Sequence, residues 1–377
     1  MNKKINRLLK GALAFTVAFS TLAVTTSTSR KVSAVEQEES YTQYVDPFVC
    51  TDVDYGQLFP GSVVPNGLVK LSPDTYPHNT LDHAGYDYSK LQIQGFSHTR
   101  IEGVGGQGAG GDVLVTPTYV EYSQRPQAQT RAMNYTKEDE SAKPGYYSVE
   151  LTPKTGKDND VKDSPEIGKI KAEMTTDQRT GFHRYTFPEA GSVNIITDLN
   201  YTYHGTDIRN AYVDVLEQSD TTTAIGGRFS GRNVSGNGKY TMYFYMETSK
   251  PANSVKTWND TTLSDKTSQK GNDIGTIMNF DVKENEEIQL KVSISPISVK
   301  QAKIDMHNEI SDWDFDAAAS RADKAWNDVL SKVRVESSKV SDPTGELKQL
   351  FYTHLYHMFM TPVNATSTSG TFRGTDG

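Results

Sequence analysis

Cysteine is nearly absent: Cys50 is the single thiol in 377 residues, so no disulfide can form within the chain. Stability has to come from a large core. After Lys31 there is no run of Lys or Arg, and 39 basic against 47 acidic residues leave a formal charge of -8. Binding to nucleic acid or to an anionic membrane therefore has no electrostatic support, and a neutral partner is expected. The one apolar stretch, Gly11 to Ser29, is interrupted by Thr and Ser and falls short of the roughly 20 clean residues a membrane span needs. Lys3, Lys4, Arg7 and Lys10 precede it and Val32-Ser33-Ala34 follows it, the pattern of a signal peptide over 1–34 cleaved after Ala34. The chain reads as secreted, and no cysteine lies close enough to suggest a lipid anchor.

What the sequence does contain, from Tyr41 to Pro296, is a succession of short β-branched or alternating runs separated by Gly, Pro, Asn and Asp clusters. Strands are expected at 67–71, 113–119, 145–152, 169–174, 181–187, 192–199, 211–216, 222–229, 240–248, 276–280 and 287–295. So many strands with short turns argue for two large antiparallel sheets packed as a sandwich, over 35–297. The polar stretches 158–163 and 253–271 read as exposed loops. Tyr 20 and Phe 14 suit a sugar-binding surface, but core packing is the more ordinary use of aromatics in β proteins.

After Pro296 the period changes to that of helices. Val299, Ala302, Ile304 and Met306 open a helical linker over 298–342, in which Asp314 caps a helix with an inward face of Phe315, Ala318, Ala322, Trp326, Val329 and Val333. A further helix from Gly345 to Met360, with Leu347, Leu350, Phe351, Leu355, Met358 and Phe359 on one side, is expected to cover that face. The last stretch, 362–377, is a loop rich in Gly, Ser and Thr. The chain reads as truncated, with 343–377 the start of a domain that continues beyond it.

Several blocks are shared, in order, with one family. They are Tyr44-Val45-Asp46-Pro47-Phe48, Phe59 to Gly67, Leu71 to Thr75, Ala84 to Tyr88, Gln94 to Thr99, Gly110-Gly111-Asp112-Val113, Pro144 to Val149 and Gly181 to Pro188. The helical part adds Asp312 to Phe315, Ala325-Trp326-Asn327, Tyr352 to His357 and Phe372 to Gly377. On these blocks the chain resembles glycoside hydrolase family 92 over nearly all of its mature length. The resemblance implies a β-sandwich joined by helices to an (α/α)6 barrel, the first helix of which is reached here. It also implies exo-acting, inverting hydrolysis of α-mannosides in mannose-containing glycans, assisted by Ca2+. The general acid, the general base and most calcium ligands of the family lie later in the barrel, so no catalytic residue and no metal ligand is assigned to this chain. Asp52 with Asp54, or Asp158 with Asp160 and Asp163, read as solvated loop acids.

Sugar contacts are expected around the glycine-rich stretch 103–111. It lacks the Lys-Ser/Thr of a P-loop and the strand-to-helix setting of a dinucleotide fingerprint, so nucleotide binding is discounted. His98 and Arg100 flank it as hydrogen-bond donors for hydroxyls, although His98 could equally tie the loop to the sandwich. Glu102-Gly103-Val104-Gly105 stands where many family members have Ser-Gly-Thr-Gly, so Glu102 and Gly103 alter the charge beside the expected subsite. Tyr86, near His83 and Asp87, is placed at the leaving-sugar side or else in the core. Arg373 and Asp376 are a charged pair suited to gripping hydroxyls. His183 and Arg184 read as structural, and Trp313 and Trp326 as helix anchors. The competing reading is a secreted carbohydrate-binding or adhesion module without catalysis. It accounts for the sandwich but not for helices leading into Phe372-Arg373-Gly374-Thr375-Asp376-Gly377. Cell-surface attachment would need a region outside this chain.

Overall fold

Along the strand Thr180–Phe187, successive side chains take opposite faces, as a pleated strand requires. Tyr185 and Phe187 enter the main apolar core, whereas Phe182 joins a separate cluster with Ile310, Phe315 and Ala318. That one strand shows the layering of the molecule: sheet on sheet, then helices over one outer face. The computed structural model describes residues 39–52, 57–78, 82–101, 110–203, 209–232 and 238–374. The expected signal peptide 1–34, Glu102, Gly103 and Asp376 lie outside the described residues.

Among the described residues the first sheet has eight strands. Ser72–Thr75, Gln92–Ser97, Leu114–Thr118, Gly191–Asp198, Ile274–Val282, Ser254–Asn259 and Thr262–Ser264 follow one another in space, and Met133–Asn134 pairs with Gln92–Ser97. The second has nine, in the order Ser268–Gly271, Ala211–Gln218, Thr223–Arg232, Lys239–Thr248, Glu286–Ser295, Thr180–Phe187, Ile170–Thr176, Tyr146–Leu151 and Glu140–Lys143. Neighbouring strands in both are antiparallel. Val193, Ile195, Met278 and Phe280 from the first sheet meet Tyr185, Leu290, Val292 and Phe244 from the second in a continuous core. This is the antiparallel β-sandwich that the strand pattern predicts.

In the sheets, three expectations are corrected. No strand runs over 67–71; the strand begins at Ser72, because Asn66 with φ 58 and the turn before Gly67 break the extended run. The supposed loop 158–163 is half of a hairpin pairing Lys154–Lys157 with Asp160–Asp163. Within 253–271 lie three strands, polar because one of their faces meets solvent.

Helix α1, Val299–Glu309, is capped by the Ser298 hydroxyl accepting from Gln301 N at 3.0 Å. Its Ala302 and Met306 pack on Ala224 and Tyr245 of the second sheet. Helix α2, Phe315–Leu330, is capped as expected, Asp314 accepting from Ala317 N at 2.9 Å. Its buried stripe is Phe315, Ala318, Ala322, Trp326 and Leu330; Val333 is exposed, since α2 stops at Leu330. The first half of that stripe covers the sheet around Phe182. The second half meets helix α3, Glu346–Met358, with Trp326 and Tyr356 ring centroids 4.3 Å apart. Of the α3 face expected to do this covering, Leu355 and Phe359 pack against the cluster, but Leu347, Leu350, Phe351 and Met358 are exposed, and Tyr352, Thr353 and Tyr356 are the buried residues. Tyr352 stacks on Tyr41 and Tyr44 of the first described segment, which selects the tyrosine side.

Candidate functional site

The two described segments that flank the glycine-rich stretch are tied together as a neck. Arg100 and Gly110 form an isolated bridge, Gly111 N donates to Thr99 O at 2.7 Å, and His98 N donates to Asp112 O at 3.0 Å. Gly110 has φ +114, and a Cβ there would sit 2.4 Å from the Thr99 carbonyl oxygen, so the neck closes only with glycine.

Beneath the neck Asp112 is a buried hub. One carboxylate oxygen accepts from Arg209 Nη1 at 2.6 Å, the other from the Thr99 hydroxyl at 2.6 Å and the Tyr240 hydroxyl at 2.8 Å. Burial and the Asp112 charge push the Tyr240 hydroxyl's pKa well up, so it stays a donor. Arg100 turns inward. Its Nη2 donates to the Ser97 hydroxyl at 2.7 Å and the Ser72 carbonyl at 3.0 Å, and its guanidinium lies 5.1 Å from the Phe59 ring centre. Asp74 stands 3.4 Å from the same nitrogen and accepts from Ser97 N at 2.8 Å. Burial raises Asp74 to about 6, against the opposing pull of Arg100.

Arg100, Asp112, Leu68, Tyr240 and Met242 line a cavity of 450 Å³ whose remaining wall includes Thr361 and Val363, from the segment after α3. That segment is fastened to α1 and to Arg179, just before the strand Thr180–Phe187. Asp305 accepts from Thr368 N at 2.8 Å, and Arg179 links Glu309, at 2.6 Å, to the Thr366 carbonyl. The cavity thus lies where the glycine-rich neck meets the helical part. Asp112 is the one carboxylate among its described lining residues, and three donors hold it. It shapes the wall and is not a free acid or base.

The expected site residues are dispersed. His98 is buried, its Nδ1 2.7 Å from the Val113 carbonyl and its Nε2 2.9 Å from His183 Nε2; burial lowers its pKa to about 3. Tyr86 is buried too, donating at 2.8 Å to Glu140, which also accepts from Tyr147 at 2.7 Å. Arg373 lies on the surface, 3.4 Å from the Pro296 carbonyl. His98 and Arg100 therefore flank one neck, while Tyr86 and Arg373 do not line the cavity. Asp112, Arg209, Tyr240 and Asp74 were missed. Asp112 sits in a recognised block, but Arg209 and Tyr240 come from 97 and 128 residues away and carry no local signal.

Among the described residues no group of three or more His, Cys, Asp or Glu could hold a metal ion. Asp158 is taken up by Ser123, at 2.7 Å to its amide and 2.5 Å to its hydroxyl. The described carboxylates therefore do not fit a calcium cage. No described helix is long and apolar enough to cross a membrane.

Residues 44–295 match the glycosyl hydrolase family 92 N-terminal domain, and residues 301–377 match the glycosyl hydrolase family 92 catalytic domain. The chain is 44% identical to the family 92 glycosyl hydrolase ccman5 (TM-score 0.84), covering 89% of this chain and 43% of that one. It is 29% identical to a family 92 α-mannosidase from Bacteroides thetaiotaomicron (TM-score 0.76), covering 90% of this chain and 44% of that one. An uncharacterized secreted glycosidase from Arthroderma benhamiae is 23% identical over 358 residues, 88% of this chain and 43% of its own length. The chain thus spans less than half the length of each of these relatives. By its matches over the sandwich and the helices alike, the chain belongs to glycosyl hydrolase family 92.

Proposed function

We propose that this chain is the N-terminal part of a secreted exo-α-mannosidase that removes terminal α-mannose from glycans with inversion. The observation that carries the reading is the family match over both 44–295 and 301–377, together with 29% identity to an α-mannosidase that is also known in complex with mannoimidazole. Secretion rests on the N-terminal leader pattern and on the secreted fungal relative.

Inversion needs a proton donor on the leaving oxygen and a base holding water on the opposite face, roughly 6.5–9.5 Å apart. Among the described residues the wall around Asp112 offers no such pair, and both groups are proposed to lie in the remainder of the catalytic domain, of which α3 would be the first barrel helix. Calcium dependence is proposed for the whole enzyme from the family resemblance, with no described residue as ligand. The role of this chain is a rim. Glu102 and Gly103 are proposed as contacts of the leaving sugar and Arg373 with Asp376 as contacts of sugar hydroxyls, while Arg100 and Asp112 hold the described neck. Tyr86 and His98, engaged by Glu140 and His183, position the rim from within.

The test is to read the coding sequence past Gly377 and assay the longer product. Mannose released from α-mannobiose, first as the β-anomer by NMR and suppressed by chelation, supports the reading. Absence of mannose release with cleavage of another glycoside overturns it.

A further inference from the structure

The two outer faces of the sandwich are finished differently. That of the nine-stranded sheet is sealed by apolar residues of α1 and α2. On the eight-stranded sheet the facing residues form a polar row: Asn194 pairs opposite Asn279, which pairs opposite Ser254. Directly opposed residues share a face, so an amide, an amide and a hydroxyl step across three adjacent strands at about 4.8 Å per step. Beside this row Tyr122 and Ile277 are buried in a small cluster with Ile196 and Trp258. Over it lies a groove of 720 Å³, lined also by the hairpin residues Lys157 and Asp160 and by Lys256. The volume is that of a small-molecule cleft, about 300–1,000 Å³.

We propose that this groove binds a neutral oligosaccharide. Its charges cancel, Lys157 and Lys256 against Glu121 and Asp160, which gives no field for a phosphate or a nucleic acid. Its floor supplies groups that both donate and accept. Asn279 Nδ2 donates to the Ser192 hydroxyl at 2.8 Å and to Asn194 Oδ1 at 3.0 Å, while its own oxygen has one long contact, 3.4 Å from Asn253 Nδ2. The Ser192 and Ser254 hydroxyls are exposed, and the Tyr119 ring is half-buried at the same groove. Alternating amides and hydroxyls beside an aromatic edge complement a ring that carries hydroxyls and C–H faces. The hairpin wall is fixed in place by Asp158 on Ser123 and by a parallel bridge from Glu121 to Lys157. The groove shares no lining residue with the Arg100 cavity.

The experiment is calorimetric titration of the full chain with α-linked mannotriose, maltotriose and cellotriose at millimolar concentration. Binding of at least one trisaccharide is expected, weakened about tenfold or more by Asn279→Leu and by Ser254→Trp. Ser254 is exposed within the groove, so the second variant fills the groove without disturbing the core should the first fail to fold. No binding of any of the three, or binding unchanged in a folded Ser254→Trp variant, overturns the proposal. The readout needs no turnover, so its failure and a failure of the mannosidase reading are scored separately.

Discussion

The imidazoles of His98 and His183 meet Nε2 to Nε2 at 2.9 Å inside the sandwich, and their surroundings fix every proton between them. The Val113 carbonyl can only accept, so His98 Nδ1 carries a hydrogen. Burial keeps both rings neutral, which leaves His98 Nε2 as an acceptor and His183 Nε2 as the donor. His183 Nδ1 must then accept from the Tyr185 hydroxyl, 2.8 Å away. The chain Tyr185 to His183 to His98 to Val113 joins the second sheet to the segment after strand Gln92–Ser97 of the first.

This relay predicts acid sensitivity. The unfolded histidines protonate near 6.5, whereas folded His98 resists down to about 3. The unfolded state therefore binds more protons in that window, and the stabilisation is whole above about pH 6.5 and is lost as pH falls toward 3. Asp74 and Glu309, raised by burial to about 6 and about 7, act oppositely, favouring the fold at low pH and losing that effect as pH rises through those values. A single-residue difference separates the two. His98→Leu is expected to cost about 1–3 kcal/mol at pH 7. The gap to wild type should narrow by up to about 2 kcal/mol at pH 5, measured by urea unfolding. A gap that widens at pH 5 rejects the neutral pair.

Asp112→Asn removes the counter-charge of Arg209, a pair in which both side chains are almost wholly buried. Leaving that guanidinium uncompensated is expected to cost about 3–5 kcal/mol. Denaturant unfolding of the full chain reads it directly; a loss below about 1 kcal/mol would place the pair in solvent.

Gly110→Ala tests the neck. The new methyl group would press on the Thr99 carbonyl at a φ that alanine avoids. In the longer enzyme the expected result is a fall in kcat/KM of about tenfold or more, since a shift of about 1 Å at a rim misplaces the sugar. Unchanged kinetics would remove this neck from the substrate path.

Trp326→Ala addresses the helical layer. The indole is fully buried against Tyr356 and donates to the Val63 carbonyl at 2.5 Å. The expected loss is about 3–5 kcal/mol, with a reduced near-UV dichroism signal from the tyrosine cluster.

The strand Thr180–Phe187 was legible because His183, Tyr185 and Phe187 alternate with residues of the opposite face. Helix α2 was legible from its cap and from Ala318, Ala322 and Trp326. The strand Gln92–Ser97 escapes the sequence pattern, because two Gln, a Gly and a Ser among its six residues dilute the β-branched signal. Most of the expected face of α3 is exposed for a tertiary reason: leucines at helical spacing look like core, yet the tyrosine side with Tyr352 and Tyr356 is the one buried, and of the expected residues only Leu355 and Phe359 join it. At the site, sequence marked the glycine-rich neck through its local composition. The groups that hold it, Arg209 and Tyr240 on Asp112 and His183 on His98, converge across long stretches of chain, where no local pattern reports them.

The Tyr41 amide donates to Asn327 at 2.7 Å, across 286 residues. Tyr41–Tyr44 therefore has no berth until α2 and α3 have emerged from the ribosome, and the sheet surface around Tyr245 and Phe182 stays bare until α1 and the first turns of α2 have followed it. Maturation of the sandwich is thus late in synthesis, and a polypeptide released at residue 297 would expose a greasy, self-associating flank.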